Sequence, residues 1–213
     1  MDDGSGLMSD RSAPVAALIL AAGESARMGR PKALLDWGGK PLLQHQIDVL
    51  LAAGCTPVVV VLGHEAQRVR ARIRCEEPCR SVENAGYGSG RASSVRVGAL
   101  ALADDVGAVV IVSVDQPCGE ETVRELMGAW RGGTSSIVVA RHEGKNGHPA
   151  LFDGALLPEL RTVQEESEGL RAVRASHRER TDFVDVDDAL VTLNLNTMEA
   201  YEAARARFSA STG

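Results

Sequence analysis

The stretch Ala21-Ala22-Gly23-Glu24-Ser25-Ala26-Arg27-Met28-Gly29-Arg30-Pro31-Lys32 places small residues, an arginine and a lysine close together. Small residues at 21 to 23 let a ligand approach the main chain, whose N–H groups can cradle anionic oxygens. Arg27 adds a planar fork of donors and Lys32 a mobile point charge, the pair a polyphosphate calls for. The spacing fits neither G-x-x-x-x-G-K-[ST] nor G-x-G-x-x-G, which argues against a P-loop ATPase and a nicotinamide dehydrogenase. Asp115, in Val114-Asp115-Gln116-Pro117, offers a hard oxygen that can hold Mg2+ against phosphates, or else a cap for a helix beginning near Glu120. Ser93 and Ser94 stand where a helix should begin and could read a base edge or a ribose; a plain N-cap is the alternative. His148 can approach a second substrate or serve as a hydrogen-bonded structural histidine. His64-Glu65 lacks the second histidine of a zincin helix, Asp185-Val186-Asp187-Asp188 reads as a solvated turn, and no G-x-S-x-G elbow supports hydrolase chemistry.

These residues need a frame that delivers them to one place. Val15 to Leu20, Val58 to Leu62, Val109 to Val114 and Ile137 to Ala140 are continuous apolar runs, the pattern of buried parallel strands. Between them, Leu42, Leu43, Ile47, Leu50 and Leu51 recur at helical spacing, as do Ala66, Val69 and Ile73, then Val95, Ala99 and Leu100, then Val123, Leu126, Met127 and Trp130. Tyr201, Ala204 and Phe208 mark a closing amphipathic helix. Alternating strands and helices imply an α/β fold of three layers, Rossmann-like, with a mostly parallel central sheet and helices on both faces. Ligands bind such sheets beyond the carboxyl ends of the strands, so the residues just after each apolar run carry the information. Residues 1–13 are small and polar and read as a disordered leader, leaving 14–213 as a single domain.

Composition narrows the function classes. The 213 residues carry a net charge of −6 and a pI near 5.4, unlike a general polyanion binder, and aromatics at 3% give no stacking surface for nucleic acid. No apolar run reaches the length of a membrane span, and the first residues lack a basic-then-apolar signal pattern. Cys55, Cys75, Cys79 and Cys118 form no C-x-x-C pair and read as reduced thiols, so a cytoplasmic protein is expected.

Leu20-Ala21-Ala22-Gly23-x-x-x-Arg27-Met28-Gly29-x-x-Lys32 resembles the signature loop of the MobA/MocA-like nucleotidyltransferases, the family of the molybdenum cofactor transferases. Asn84 to Gly98 is similar to the family's second nucleotide-side segment, and Val114-Asp115-Gln116-Pro117 to its metal-binding turn. Gly147 to Phe152 is similar to its acceptor-side strand, and Asn194 to Tyr201 to its closing motif. The resemblance spans about residues 15–205. It implies nucleotide contacts from Leu20, Ala21, Ala22, Gly23, Arg27, Lys32, Ser93 and Ser94, and catalysis by Arg27, Lys32 and Asp115. It implies Mg2+ on Asp115 and Asn196, with His148 on the acceptor side. Ala22 gives the Leu-Ala-Ala-Gly form of the cytidylyltransferases, whereas Asn196 is the residue the guanylyltransferases tend to carry. The implied reaction is transfer of CMP from CTP to a phosphorylated acceptor, molybdenum-loaded molybdopterin, with a molybdenum hydroxylase apo-enzyme as a further partner. A guanylyltransferase, a sugar- or alcohol-phosphate nucleotidyltransferase, and a non-catalytic nucleotide-binding maturation partner stand as alternatives.

Overall fold

A computed structural model describes residues 9–25 and 28–211. The chain forms β1 (Val15–Ala21), a short hairpin of β2 (Asp36–Trp37) and β3 (Lys40–Pro41), then α1 (Leu42–Ala52), β4 (Val58–Leu62), α2 (Ala66–Arg70) and β5 (Cys79–Glu83). It continues through α3 (Arg91–Leu100), β6 (Ala108–Ser113), α4 (Glu120–Gly132), β7 (Ile137–His142), β8 (Lys145–Asp153), α5 (Leu157–Leu160), α6 (Leu170–Ser176), β9 (Thr181–Asp185) and α7 (Met198–Ser211).

The main sheet runs β5-β4-β1-β6-β8-β7-β9. Every strand points the same way except β8, which pairs antiparallel with both β6 and β7. From β1 the chain moves outward through β4 to β5, then returns to lay β6 on the other side of β1. That reversal opens a crevice beyond the carboxyl ends of β1 and β6, where Leu20 lies beside Ser113. The wholly apolar strands are buried because both faces of the sheet are covered. One face packs Ala17, Ile19, Val60 and Val110 against Leu43 and Ile47 of α1 and Leu126 and Trp130 of α4. The other packs Leu18, Val61, Val109 and Ile111 against Val95 and Ala99 of α3 and Leu160 of α5. A third, smaller cluster joins Leu35, Trp37 and Leu42 to Leu195, Tyr201 and Ala204, so α7 closes over the hairpin.

Several local expectations change. Leu100, the last residue of α3, stands 62% exposed, while Ala99 beside it stays buried against the sheet. The helix expected through Ile73 stops at Arg70, although Ile73 still packs against the core. Cys75 and Cys79 are not reduced thiols: they are joined as a disulfide, since the intervening turn, with Cys79 N–H donating to the Glu76 carbonyl, brings their Cα atoms to 5.0 Å. Cys55 and Cys118 stay free and buried, and burial pushes the Cys55 thiol up to about 12 and raises that of Cys118 as well. Such thiols are unreactive. Among the described residues, no helix is long and apolar enough to cross a membrane.

Within the segment expected as a loose leader, Ser9 and Arg11 are held on the domain. Arg11 donates to the carbonyls of Trp130 and Ser135 and pairs with Asp153 at 3.3 Å. Asp153, 1% exposed, also accepts from the Trp130 indole N–H at 2.9 Å and from Ala155 N–H at 3.0 Å. We expect Asp153→Ala to lower unfolding free energy by about 3–5 kcal/mol, the cost of leaving buried donors and a guanidinium without their carboxylate, read as a lower urea midpoint. A change within 0.5 kcal/mol, as at an ordinary surface site, would contradict this.

Candidate active site

Lys32, Asp115 and Asn196 come from three distant parts of the chain and meet at the crevice. The Lys32 ammonium donates to Asp115 Oδ2 at 2.9 Å and to Asn196 Oδ1 at 2.7 Å. Local structure aims each of them. Pro31 precedes a single 3-10 turn, Lys32–Leu34, whose first N–H donates to the Ser25 hydroxyl. Asp115 follows β6 in the turn held by the Gln116 N–H to Ser113 carbonyl bond. Asp115 does not cap α4; Gly119 is the N-cap residue of that helix, and Asp188 accepts from both the Gly119 N–H and the Thr122 hydroxyl. The acidic run expected as a solvated turn therefore supplies the cap. Leu195 N–H donates to the Asp115 carbonyl at 2.9 Å, and the Leu195 side chain is buried with Leu35 in the third core cluster. The same packing thus fixes residues 32, 115 and 196 together.

A cavity of about 350 Å3 opens beside this contact, lined by Leu20, Ala22, Gly23, Ser94, Lys32 and Asp115. Ser25, Tyr87 and Arg91, which the motif reading did not single out, line it too. Ala21 does not: successive strand residues face opposite sides, and Ala21 points into the core. Ser93 is turned away as well, its hydroxyl donating to the Gly90 carbonyl and accepting from Asn84, which also donates to Ser94. Both serines are buried inside α3, which begins two residues earlier at Arg91, so neither is its exposed cap. Arg27 lies outside the described residues.

Gly90 sets the start of α3. Its φ of +107° favours glycine, and a Cβ there would fall 2.5 Å from the Glu165 carboxyl carbon. Glu165 in turn accepts the Ala92 N–H at 2.7 Å. Arg91 projects from this first turn to the border of a second, larger cavity of about 650 Å3, which it also lines with Gln116, His148, Asn194, Arg171 and Arg174. Burial lowers the pKa of Arg91 and the nearby Asp115 and Glu165 carboxylates raise it again, so the guanidinium stays charged.

His148 stands in the larger cavity, hydrogen-bonded to the Gln116 amide. The amide nitrogen is the donor, so Nε2 accepts and Nδ1 carries the proton of the neutral ring. Burial, reinforced by the positive charge of Arg91, lowers this histidine to about 4. The Gln116 Oε1 is buried without a partner among the described residues.

Among the described residues no group of three or more His, Cys, Asp and Glu gathers to hold a metal. Asp115 and Asn196 do direct two hard oxygens at one point, the Lys32 ammonium. Such a pair suits Mg2+, which needs few protein ligands when substrate phosphates supply the rest.

A folded-state value of about 4 for His148, below its ordinary 6.5, means its neutral ring contributes stability above pH 6.5 that is lost as pH falls toward 4. We expect the His148 ring proton resonances to titrate with a midpoint near 4, and Arg91→Ala to move that midpoint upward. A midpoint at 6.5 in the wild-type protein would show that the ring is solvated and charged as in a free peptide.

The chain matches the family described as MobA-like NTP transferase domain over residues 17–181. It is 34% identical over 200 residues to nicotine blue oxidoreductase of Paenarthrobacter nicotinovorans, covering 90% of this chain and 97% of that one. A probable molybdenum cofactor guanylyltransferase of Opitutus terrae is 37% identical over 132 residues, 62% of this chain and 63% of that one. Against bifunctional GlmU proteins of Anaeromyxobacter the chain spans 34–35% of their length. Among solved structures, Rv0371c of Mycobacterium tuberculosis H37Rv superposes with a TM-score of 0.79 at 27% identity, over 91% of this chain and 98% of that one. Rv0371c has also been solved in complex with manganese, superposing at 0.74 with 25% identity over the same shares of the two chains. With the matched family spanning most of the sheet and the crevice, this chain is a member of the MobA-like NTP transferase family.

Proposed function

We propose that the chain transfers CMP from CTP to a phosphorylated acceptor, molybdenum-loaded molybdopterin, and releases pyrophosphate. The observation that carries this reading is the meeting of Lys32, Asp115 and Asn196 beside the smaller cavity. The triphosphate would lie there along Ala22 and Gly23, whose lack of bulk admits it to the main chain. The acceptor would occupy the larger cavity, with its phosphate toward Arg91.

An oxygen of the acceptor phosphate attacks the α-phosphorus in line, and the bond from that phosphorus to the bridging oxygen breaks. Pyrophosphate leaves with the electron pair. A phosphate monoester is largely deprotonated near pH 7, so the site needs no general base to activate it. Neutral His148 suits such a site, where it orients and donates rather than removes a proton. Lys32 would neutralise charge gathering on the leaving group, and Arg27 is assigned the same task from its place in the loop. Asp115 and Asn196 would hold Mg2+, which supplies charge stabilisation to the phosphates when bound. The manganese complex of Rv0371c supports a divalent ion in this fold. The Leu-Ala-Ala-Gly form of the loop supports CTP.

Two observations favour other readings. Asn196 and the Opitutus terrae relative favour guanylyl transfer. The near full-length match to nicotine blue oxidoreductase favours redox chemistry. Both are separated from the main reading by one experiment, a panel of nucleoside triphosphates assayed for Mg2+-dependent pyrophosphate release with molybdenum-loaded molybdopterin. We expect CTP to be preferred, and Lys32→Ala and Asp115→Ala each to cut turnover by at least ~100-fold while folding normally, the scale of one lost electrostatic stabiliser. Equal or faster turnover with GTP would replace cytidylyl by guanylyl transfer. Wild-type turnover in either variant would remove that residue from the mechanism, and no pyrophosphate release with any of the triphosphates would sink nucleotidyl transfer.

A further inference from the structure

Gln46 lies on the buried face of α1 with Leu43, Ile47 and Leu50, and is itself only 2% exposed. Glutamine is seldom buried among apolar side chains, because taking an amide out of water costs free energy unless hydrogen bonds replace the water. Only half of this amide is satisfied. Its Nε2 donates to the Ser113 carbonyl at 3.1 Å and to the Val114 carbonyl at 3.3 Å, while its Oε1 is buried without a partner among the described residues. Those partners fix which way the amide faces, since a reversed amide would set oxygen against two carbonyl oxygens. A methionine or leucine at this place would fill the same space with no orphaned oxygen, so stability gives little reason for a glutamine.

What the amide does hold is the backbone that delivers Asp115. Peptide units are planar, so a side chain's direction is set once the planes on both sides of its Cα are fixed. Gln46 holds the plane before Asp115, through the Val114 carbonyl. Leu195 N–H holds the plane after it, through the Asp115 carbonyl at 2.9 Å. Val114 N–H is tied in turn to the Leu20 carbonyl of β1. We infer that Gln46 is a positioning residue of the active site: from inside the core it sets the Asp115 turn, so that the carboxylate converges with Asn196 on the point taken by the Lys32 ammonium. This rests on the reading of Asp115 as a ligand of the divalent ion and names a residue, remote in sequence and shut off from the cavity, on which that role depends. Groups that hold a metal ligand in direction typically change affinity or activity by ~10- to 100-fold when removed.

Gln46→Met keeps the length of the side chain and removes its donor. Mn2+ alone is titrated into the full chain and followed by loss of the free-ion electron paramagnetic resonance signal, beside urea unfolding of the same proteins. We expect the variant to unfold within ~0.5 M urea of the wild type, because removing the orphaned Oε1 offsets the two lost hydrogen bonds. Its Mn2+ affinity should nevertheless fall at least ~10-fold, with a matching rise in the Mg2+ concentration that gives half-maximal pyrophosphate release. Gln44→Met, on the same helix but bonded to Asp48 and the Arg74 N–H, should bind Mn2+ as the wild type does. Unchanged Mn2+ affinity in Gln46→Met, or equal weakening in Gln44→Met, would overturn the inference. So would a Gln46→Met chain that unfolds more than ~0.5 M urea earlier or does not fold, since the amide would then serve the fold. Asp115→Ala, titrated alongside, separates the two claims. Wild-type Mn2+ binding in Asp115→Ala, or none in the wild type, would sink the metal reading itself, whereas loss in Asp115→Ala with full binding in Gln46→Met would defeat only the role of Gln46.

Discussion

The contact of the Lys32 ammonium with Asp115 and Asn196 imposes a constraint that the whole molecule has to meet. One of the three follows β1, one follows β6 and one precedes the last helix, so they can meet only if β1 and β6 are neighbours and α7 folds back over the hairpin. The sheet order does the first, because the chain reverses direction between β5 and β6. The small cluster of Leu35, Trp37, Leu195 and Tyr201 does the second. A partly buried ammonium shared by a carboxylate and an amide is an arrangement that a polyphosphate with its counter-ion can take over, since the ligand offers the same charges in the same place.

Around that point the site divides by chemistry. The smaller cavity is built from backbone and small side chains at the ends of β1 and β6, the surface a triphosphate needs. The larger one adds polar side chains from β8, α6 and the loops to an apolar wall of Val95, Ile111 and Phe152, and lies over the antiparallel strand. Arg91 is common to both; its charge helps to lower His148, and the Asp115 and Glu165 carboxylates raise Arg91 in turn. The reacting groups would therefore meet under one cation, with a histidine beside them held neutral.

Much of this was legible in the residues. The four apolar runs are β1, β4, β6 and the buried part of β7, and the Val123-Leu126-Met127-Trp130 stripe is the buried face of α4. What stayed hidden has physical causes. The strands β5 and β9 lie at the sheet edges, half solvated, and so lack the continuous apolar signature. Lys32 and Asp115 could be named because loops after buried strands carry the ligands. Arg91, Arg171 and Arg174 could not be told from other surface arginines, since only tertiary structure reveals which of them line a cavity. The side chains of Ser93 and Ala21, directed by the first turn of α3 and the alternation of β1, point away from the smaller cavity, which residue type and spacing do not reveal.

A co-crystal structure with Mn2+ and a CTP analogue whose α–β bridge is a methylene group would show whether Lys32, Asp115 and Asn196 receive a metal-bound triphosphate. Nucleotidyl transfer at this crevice requires the triphosphate in the smaller cavity, the Lys32 ammonium on its phosphates, and an anomalous manganese peak coordinated by Asp115 and Asn196. A nucleotide bound elsewhere, with the Lys32–Asp115–Asn196 contact intact and no metal beside it, would contradict it.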